Sequence, residues 1–293
     1  MKQLTIREFF KTFPDDETCL KHIFECRFGQ AYPCLKCNKA TKWHRIKAER
    51  AYSCQYCGHH LHPTVGTPFE SSRTPLQLWF YAIYLFTTTR HGVSAKELQR
   101  QLGVTYKTAW RMGHEIREHM ADIDEMDDDE PLNGHVEIDE TYIGGKSNKR
   151  GRPTGKDGKI GVLGMVERNG DVRTEIIYDV KKETILPIVE ANVEKGSTIS
   201  TDQLHAYKSL PKLGYDHGAI KHYAKEWKKG IHCTNSIEGY WRMLKNSISS
   251  THIHVSHKHL NKYLGEFEYR YNSRKSISLM FPQLVSVYPR KDS

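Results

Sequence analysis

Apolar positions recur at helical spacing toward both ends of the chain and alternate through its middle. Ile6, Phe9, Phe10 and Phe13 mark an amphipathic helix that breaks at Pro14, and Leu20, Ile23, Phe24 and Phe28 mark a second. From Pro75, residues Leu76, Trp79, Phe80, Ile83 and Phe86 repeat with the same period. In the stretch from Gly92 to Met120, Ser94 caps a helix with Glu97 at the capping-box position, and Ala95, Leu98 and Leu102 face inward. Gly103 permits a sharp turn, and Thr105 caps a further helix with Ala109, Met112 and Ile116 inside. Alternation then predicts strands in HVEIDETYI, IGVLGMVER and DVRTEIIYDV, a three-strand meander, and in STIST, which ends at Asp202. Helices follow over ETILPIVEANV, with Pro187 inside. A helix from Thr234 or Asn235 has the stripe Ile237, Trp241, Leu244 and Ile248, and another packs Leu260, Tyr263, Leu264, Phe267 and Tyr271. Residues 43–54 read as a hairpin, and strands mixed with helices make the back half an α/β domain behind an all-α region over 74–120.

Composition narrows the class. The chain has 293 residues, 38% of them hydrophobic and 11% aromatic, enough for two or three domains with real cores. A net charge of +9 suggests a polyanionic partner, nucleic acid being the usual one, although solvated cationic faces produce the same excess. There is no apolar run long enough to span a bilayer, and the first residues lack the features of a signal peptide. A cytoplasmic protein with reduced thiols is expected, so its cysteines read first as ligands or core residues. Cys19, Cys26 and Cys233 read as packing residues. The tract 121–130, with seven acids and no base, reads as a solvated linker, and 146–159, with six basic residues, as a mobile loop that follows phosphates.

Two motifs at the front carry chemistry. Cys34 and Cys37 form one Cys-x-x-Cys knuckle and Cys54 and Cys57 another, sixteen residues apart. That pattern supplies the four thiolates of a structural Zn²⁺ site, a zinc ribbon with no open coordination position. His59, His60 and His62 follow closely and compete as ligands or meet phosphate or solvent. The capped helix pair around Gly103 fits a helix-turn-helix, with Tyr106, Lys107, Thr108 and Arg111 as DNA-facing candidates; a generic helical hairpin fits it too. The expected domains are a helical segment 1–30, the ribbon 31–63, the helix-turn-helix region 74–120, the acidic linker 121–131 and an α/β domain 132–280.

Three polar positions stand out in that last domain. Glu137, Asp139 and Thr141 share one face of their strand, with Val136, Ile138 and Glu140 on the other. An acid in an apolar strand is costly unless it is paired or holds a metal, although a solvated edge strand also accounts for it. Asp202 ends a later strand, a usual place for a ligand-binding group. Asn235, Glu238, Arg242 and Lys245 line one side of a helix, which alone reads as an ordinary surface stripe. Thirty-five residues separate Asp202 from Glu238, and Lys245 lies seven further on.

IDETYIGGK, STDQLHAY, TNSIEGYWRMLK and HLNKYLGEFEYRYNSR, in this order behind the cysteines, resemble bacterial insertion-sequence transposases. These carry an N-terminal zinc ribbon and a DDE catalytic domain of the ribonuclease H-like, integrase type, and the resemblance covers nearly the whole chain. It implies a mixed sheet with flanking helices and a DNA transposase that binds terminal inverted repeats. Cleavage and strand transfer would depend on Mg²⁺ or Mn²⁺ in a two-metal site. Asp139 would bridge both ions, Asp202 and Glu238 would each hold one, and Lys245 would orient the DNA. Asn235, one turn before Glu238, is the alternative third ligand, and Glu137 ranks above Glu140 as a substitute because it shares the face of Asp139. Lys149, Arg150, Arg152 and Arg242 join the helix-turn-helix residues as DNA contacts. His205, His222 and His232 lie near the carboxylates in sequence and read first as structural or solvent-facing, with phosphate contact as the alternative. The partners implied are transposon ends and target DNA, with a homodimer or higher multimer on DNA and a nucleoid-associated location. A DNA-binding regulator derived from a transposase, and a ribonuclease H-type nuclease without strand transfer, are the other two readings.

Overall fold

A computed structural model describes residues 3–29, 31–127, 130–144, 159–220, 230–252 and 255–288. The chain divides into two compact units, Met1–Ile123 with Lys275–Ser293, and Asp124–Arg274.

In the first unit, α1 (Ile6–Thr12) starts at a capping box between Thr5 and Glu8, and α2 (Asp16–Phe28) is capped by Asp15. Three short antiparallel strands follow, β1 (Trp43–Ile46), β2 (Ala51–Cys54) and β3 (His60–Leu61), in that order across the sheet. Next come α3 (Leu76–Thr88), α4 (Ala95–Leu102) and α5 (Tyr106–Asp127). The Ser94 hydroxyl accepts the Glu97 amide, Gly103 turns the chain at φ +66°, and Thr105 Oγ1 accepts the Thr108 amide. The C-terminal helix Ile277–Ser286 returns to this unit, where Phe281 meets Phe9, Phe13 and Tyr84 ring to ring. The core is thus largely aromatic.

Two expectations change here. α2 buries Cys19, Leu20, Ile23 and Phe24, but Cys26 lies outside that stripe and is exposed, 3.6 Å from His22 Nε2. The acidic tract is no solvated linker as far as Asp127: α5 runs on through it. Met120 and Ile123 extend the buried stripe of Ala109, Met112 and Ile116, so apolar spacing outweighs the local charge. Asp124 is nearly buried and its Oδ2 accepts from Asn272 Nδ2 at 3.0 Å.

The second unit is a five-stranded mixed sheet. β4 (His135–Ile143), β5 (Ile160–Glu167) and β6 (Val172–Ile177) form the antiparallel meander that alternation predicts. After α6 (Lys182–Asn192), β7 (Thr198–Thr201) pairs parallel to β4; a 3-10 helix His205–Leu213 leads to β8 (Asp216–Ala219), parallel to β7. The order β6-β5-β4-β7-β8 places β4 at the centre. One face buries Val136, Ile138, Ile185, Val189 and Tyr207 under α6 and the 3-10 helix. The other buries Val162, Ile237, Trp241, Leu244 and Phe267 under α7 (Asn235–Ser247) and α8 (Leu260–Asn272).

Candidate active site

The site grows from β4 because both of its faces are covered while one of its edges runs out of partner. β4 pairs with β7 only from His135 to Glu137, and β7 ends at Thr201. Carrying the register on by two residues sets Asp202 beside Asp139. Asp139 points to the α7 face, where Trp241 Nε1 donates to its Oδ2 at 3.1 Å. Glu140 points to the opposite face, where the buried Tyr207 hydroxyl donates to its Oε2 at 3.1 Å. Beyond the end of β7 both side chains nevertheless reach Asp202, and carboxylate oxygens of Asp139, Glu140 and Asp202 lie within 4.8 Å of one another. Asp202 is set by its own turn, its Oδ1 accepting the Leu204 amide at 2.8 Å.

Three acids this close cannot all carry charge cheaply. Burial first, then the charges of Glu140 and Asp202, push the Asp139 carboxyl up to about 7. Partial desolvation lowers the Lys245 ammonium, and the attraction of Asp139 opposes that shift, which places Lys245 within the field of the cluster. Burial and the same three carboxylates hold the Tyr207 phenol well above its ordinary value, so it stays a donor. A hard divalent cation would relieve the crowding, because oxygen-only ligands of this kind suit Mg²⁺ or Mn²⁺.

Two glycine and carboxylate features position this site without belonging to the cluster. Gly164 is the cross-strand partner of Asp139, and a Cβ there would lie 2.5 Å from Trp241 Cζ2 and 2.8 Å from Ile237 Cδ1. The missing side chain is the space that Trp241 occupies on its way to Asp139. Glu137, fully buried, is a helix anchor: its carboxylate accepts the Ser236 and Ile237 amides at 2.7 and 3.2 Å. Arg168 Nε donates to it at 2.8 Å, and Arg168 also donates to the Ile231 and Cys233 carbonyls. An anion on the first amides of α7 offsets the partial positive charge there, so Glu137 ties the helix to the central strand. Cys233 packs into the same knot, its Sγ accepting from Arg168 Nη2 at 2.8 Å.

The remaining residues singled out from the sequence fall as follows. Glu238 is half-buried in the first turn of α7, with Thr234 Oγ1 donating to its Oε1 at 2.9 Å. Asn235, Arg242 and Lys245 are exposed on the same helix. Among the acidic groups of the described residues, the gathered set comprises Asp139, Glu140 and Asp202, and Glu238 is outside it. His205 opens the 3-10 helix and is exposed, whereas His232 Nδ1 lies 3.0 Å from Ser200 Oγ, inside a contact with His135. Lys149, Arg150, Arg152 and His222 lie outside the described residues. Tyr106 and Lys107 are exposed at the start of α5, while Arg111 is half-buried, donating to Ser72 Oγ at 3.0 Å with its guanidinium over Trp79. Membership of Glu140 in the cluster, and the anchoring by Trp241, Tyr207 and Gly164, carry no signal in side-chain alternation.

The four cysteines converge as their spacing predicts. Cys34 and Cys57 sulfurs lie 3.6 Å apart and Cys37 and Cys54 sulfurs 3.8 Å apart, and all four are mutually close. A tetrahedron with Zn–S near ~2.3 Å has edges of about 3.8 Å, so the donor set fits Zn²⁺. The Tyr56 amide donates to Cys54 Sγ at 3.4 Å, a bond that steadies a thiolate.

Residues 131–272 match the family of the ISXO2-like transposase domain. A protein of Halobacterium salinarum described as an uncharacterized protein in transposable element ISH50 is 26% identical over 89% of this chain and 92% of its own length. An uncharacterized transposase-like protein of Haemophilus influenzae is 28% identical over 39% of this chain and 93% of its own length. Among solved structures, the Mos1 strand transfer complex and the mariner Mos1 paired end complex with Mg each align over 68% of this chain and 75% of theirs. Both are 13% identical, with TM-scores of 0.29 and 0.28.

Proposed function

We propose that this chain is an insertion-sequence transposase with an ISXO2-like domain, which binds the terminal inverted repeats of its element and cuts and joins DNA; the match of residues 131–272 and the two relatives support this. The observation that carries the reading is the meeting of Asp139 and Asp202 at the open edge of the central strand, with Glu140 beside them. The meander, the parallel pair beyond it and the helices on both faces support a ribonuclease H-like domain within 132–280. The ribbon of 31–63 and the helix pair of 74–120 would bind the ends. Tyr106 and Lys107 are the exposed contacts, and the basic residues Lys149, Arg150, Arg152 and Arg242 follow phosphates near the cut.

Asp139 and Asp202 would hold the divalent cations, with Glu238 as the third ligand and Asn235 as its alternative. Glu238 lies three residues before Trp241 on α7, so it shares the side of the helix that reaches Asp139. Bound Mg²⁺ would activate an attacking hydroxyl and stabilise the leaving oxygen of an in-line displacement at phosphorus. The chain's own residues do the rest. Trp241 fixes one oxygen of Asp139, Tyr207 fixes one of Glu140, and the Leu204 amide fixes Asp202. Lys245 presents its charge to the scissile phosphate, and Glu137 with Arg168 holds α7, hence Glu238 and Lys245, against the sheet. Two ends brought together require at least a dimer on DNA, in the nucleoid.

The test is a joining assay with Mg²⁺, labelled DNA carrying the element's ends, and a supercoiled target. Nicked ends and joined products support transposition. Nicking of DNA without joining identifies a nuclease, and end binding without any cleavage identifies a regulator.

A further inference from the structure

We propose that Glu49, His60 and His62 form a second metal site on the first unit, one that takes a borderline divalent ion such as Zn²⁺, Co²⁺ or Ni²⁺ and staples the β1–β2 turn to β3. One ligand atom from each of the three residues lies within 4.8 Å of the other two. Two imidazoles and a carboxylate are a donor set of that preference, softer than the oxygens around Asp139 and harder than the four thiolates.

The backbone places these donors before any ion arrives. β3 pairs with β2 through Ser53↔His60 and Tyr52↔Leu61, and His62 follows directly on the strand, its ring close to that of His60. Their ring centroids are 6.4 Å apart. Glu49 sits in the turn between β1 and β2, whose shape is fixed from inside by Arg45. That guanidinium donates to the Ile46, Glu49 and Ala51 carbonyls and is held in turn by the Glu17 carboxylate at 2.9 Å. His60 Nδ1 then lies 3.8 Å from Glu49 Oε2, beyond a hydrogen bond but close to the separation of two ligands on one ion. All three side chains are exposed, so an ion can enter from solvent, and three protein ligands leave a position for water. The staple has a physical use, since β3 is two residues long and, among the described residues, pairs with β2 alone.

The site is separable from both other donor sets. Untagged full-length protein carrying D139N and D202N, which removes the carboxylate cluster, is titrated with Co²⁺ and counted by equilibrium dialysis. The expected result is two equivalents: one with intense sulfur-to-metal charge-transfer absorption from the four cysteines, and one with only weak nitrogen–oxygen bands. Adding H60A and H62A, or E49Q with H62A, abolishes the second equivalent and leaves the first unchanged, which also shows that the ribbon still folds. A single equivalent in the parent protein, or a second equivalent that survives H60A with H62A, overturns the proposal. Absence of the sulfur band would fault the ribbon assignment alone and leave the count at this site readable.

Discussion

Replacing Glu137 tests whether the site depends on a helix pinned to the central strand. Glu137→Ala removes a fully buried carboxylate, leaving Arg168, about a quarter exposed, without its ion partner and the Ser236 and Ile237 amides without their acceptor. Breaking a buried pair by removing one partner costs about 3–5 kcal/mol. An unsatisfied buried donor alone costs about 1–3 kcal/mol, so the larger figure already contains much of the amide loss and the two are not summed. Glu137→Gln keeps the volume but turns an amide NH₂ toward donors on every side, and should cost nearly as much. Because the chain has two units, a single unfolding midpoint would mix them. Hydrogen exchange resolved by peptide is the better assay. Exchange in 235–247 should accelerate by roughly a hundred- to several-thousandfold, the equivalent of that free energy. Peptides of α2 and α3 in the first unit should be unchanged. Acceleration below about tenfold, or equal acceleration in both units, would refute the anchor.

Three further outcomes follow from the geometry. Asp139, raised from 3.8 to about 7, destabilises the metal-free fold by an amount absent below pH 3.8, growing from there to about pH 7 and constant above it. D139N should therefore stabilise the second unit of protein freed of Mg²⁺ at pH 8, read from hydrogen exchange in the peptides of 135–143, with a ceiling of about 4 kcal/mol, and bring no gain at pH 3.5; a loss of stability at pH 8 contradicts the crowding. G164A forces a Cβ into the Trp241 ring and should cost about 1–3 kcal/mol by overpacking while weakening the Asp139 contact. Hydrogen exchange in 160–167 and an indole fluorescence spectrum like those of the parent would count against it. Comparison of E238Q, N235A and E140Q in end cleavage identifies the third ligand: E238Q should lose at least a hundredfold and the other two much less, the reverse pattern favouring Asn235 or Glu140.

Most elements were legible because burial stripes repeat. Ile237, Trp241, Leu244 and Ile248 mark α7, and alternation marks the meander and assigns Glu137 and Asp139 to one face, Glu140 to the other. What alternation cannot express is where a neighbouring strand stops. Because β7 ends at Thr201, residues from opposite faces of β4 meet at its uncovered edge, and Glu140 joins Asp139 and Asp202 although it leaves the strand on the far side. Glu137, preferred as a substitute ligand for its facing, is committed instead to the amides of a helix ninety-nine residues away in sequence. β8 escaped because Asp216–Ala219 is half-buried without alternation, and its Gly218 is needed only because the His232 ring lies where a Cβ would be. In the acidic tract, local charge concealed Ile123, which continues the buried side of α5 beyond Met120.

The central claim, that Asp139 and Asp202 form a divalent-metal centre for DNA cleavage and joining, is tested most directly by calorimetric Mn²⁺ titration of protein that keeps its ribbon Zn²⁺ and is freed of other divalent ions, beside D139N and D202N, with the same samples run in the Mg²⁺ joining assay. The account predicts that the parent binds Mn²⁺ and joins DNA. Either variant should lose both while still shifting end-bearing DNA. Joining that persists in D139N, or Mn²⁺ uptake that neither substitution diminishes, would contradict it.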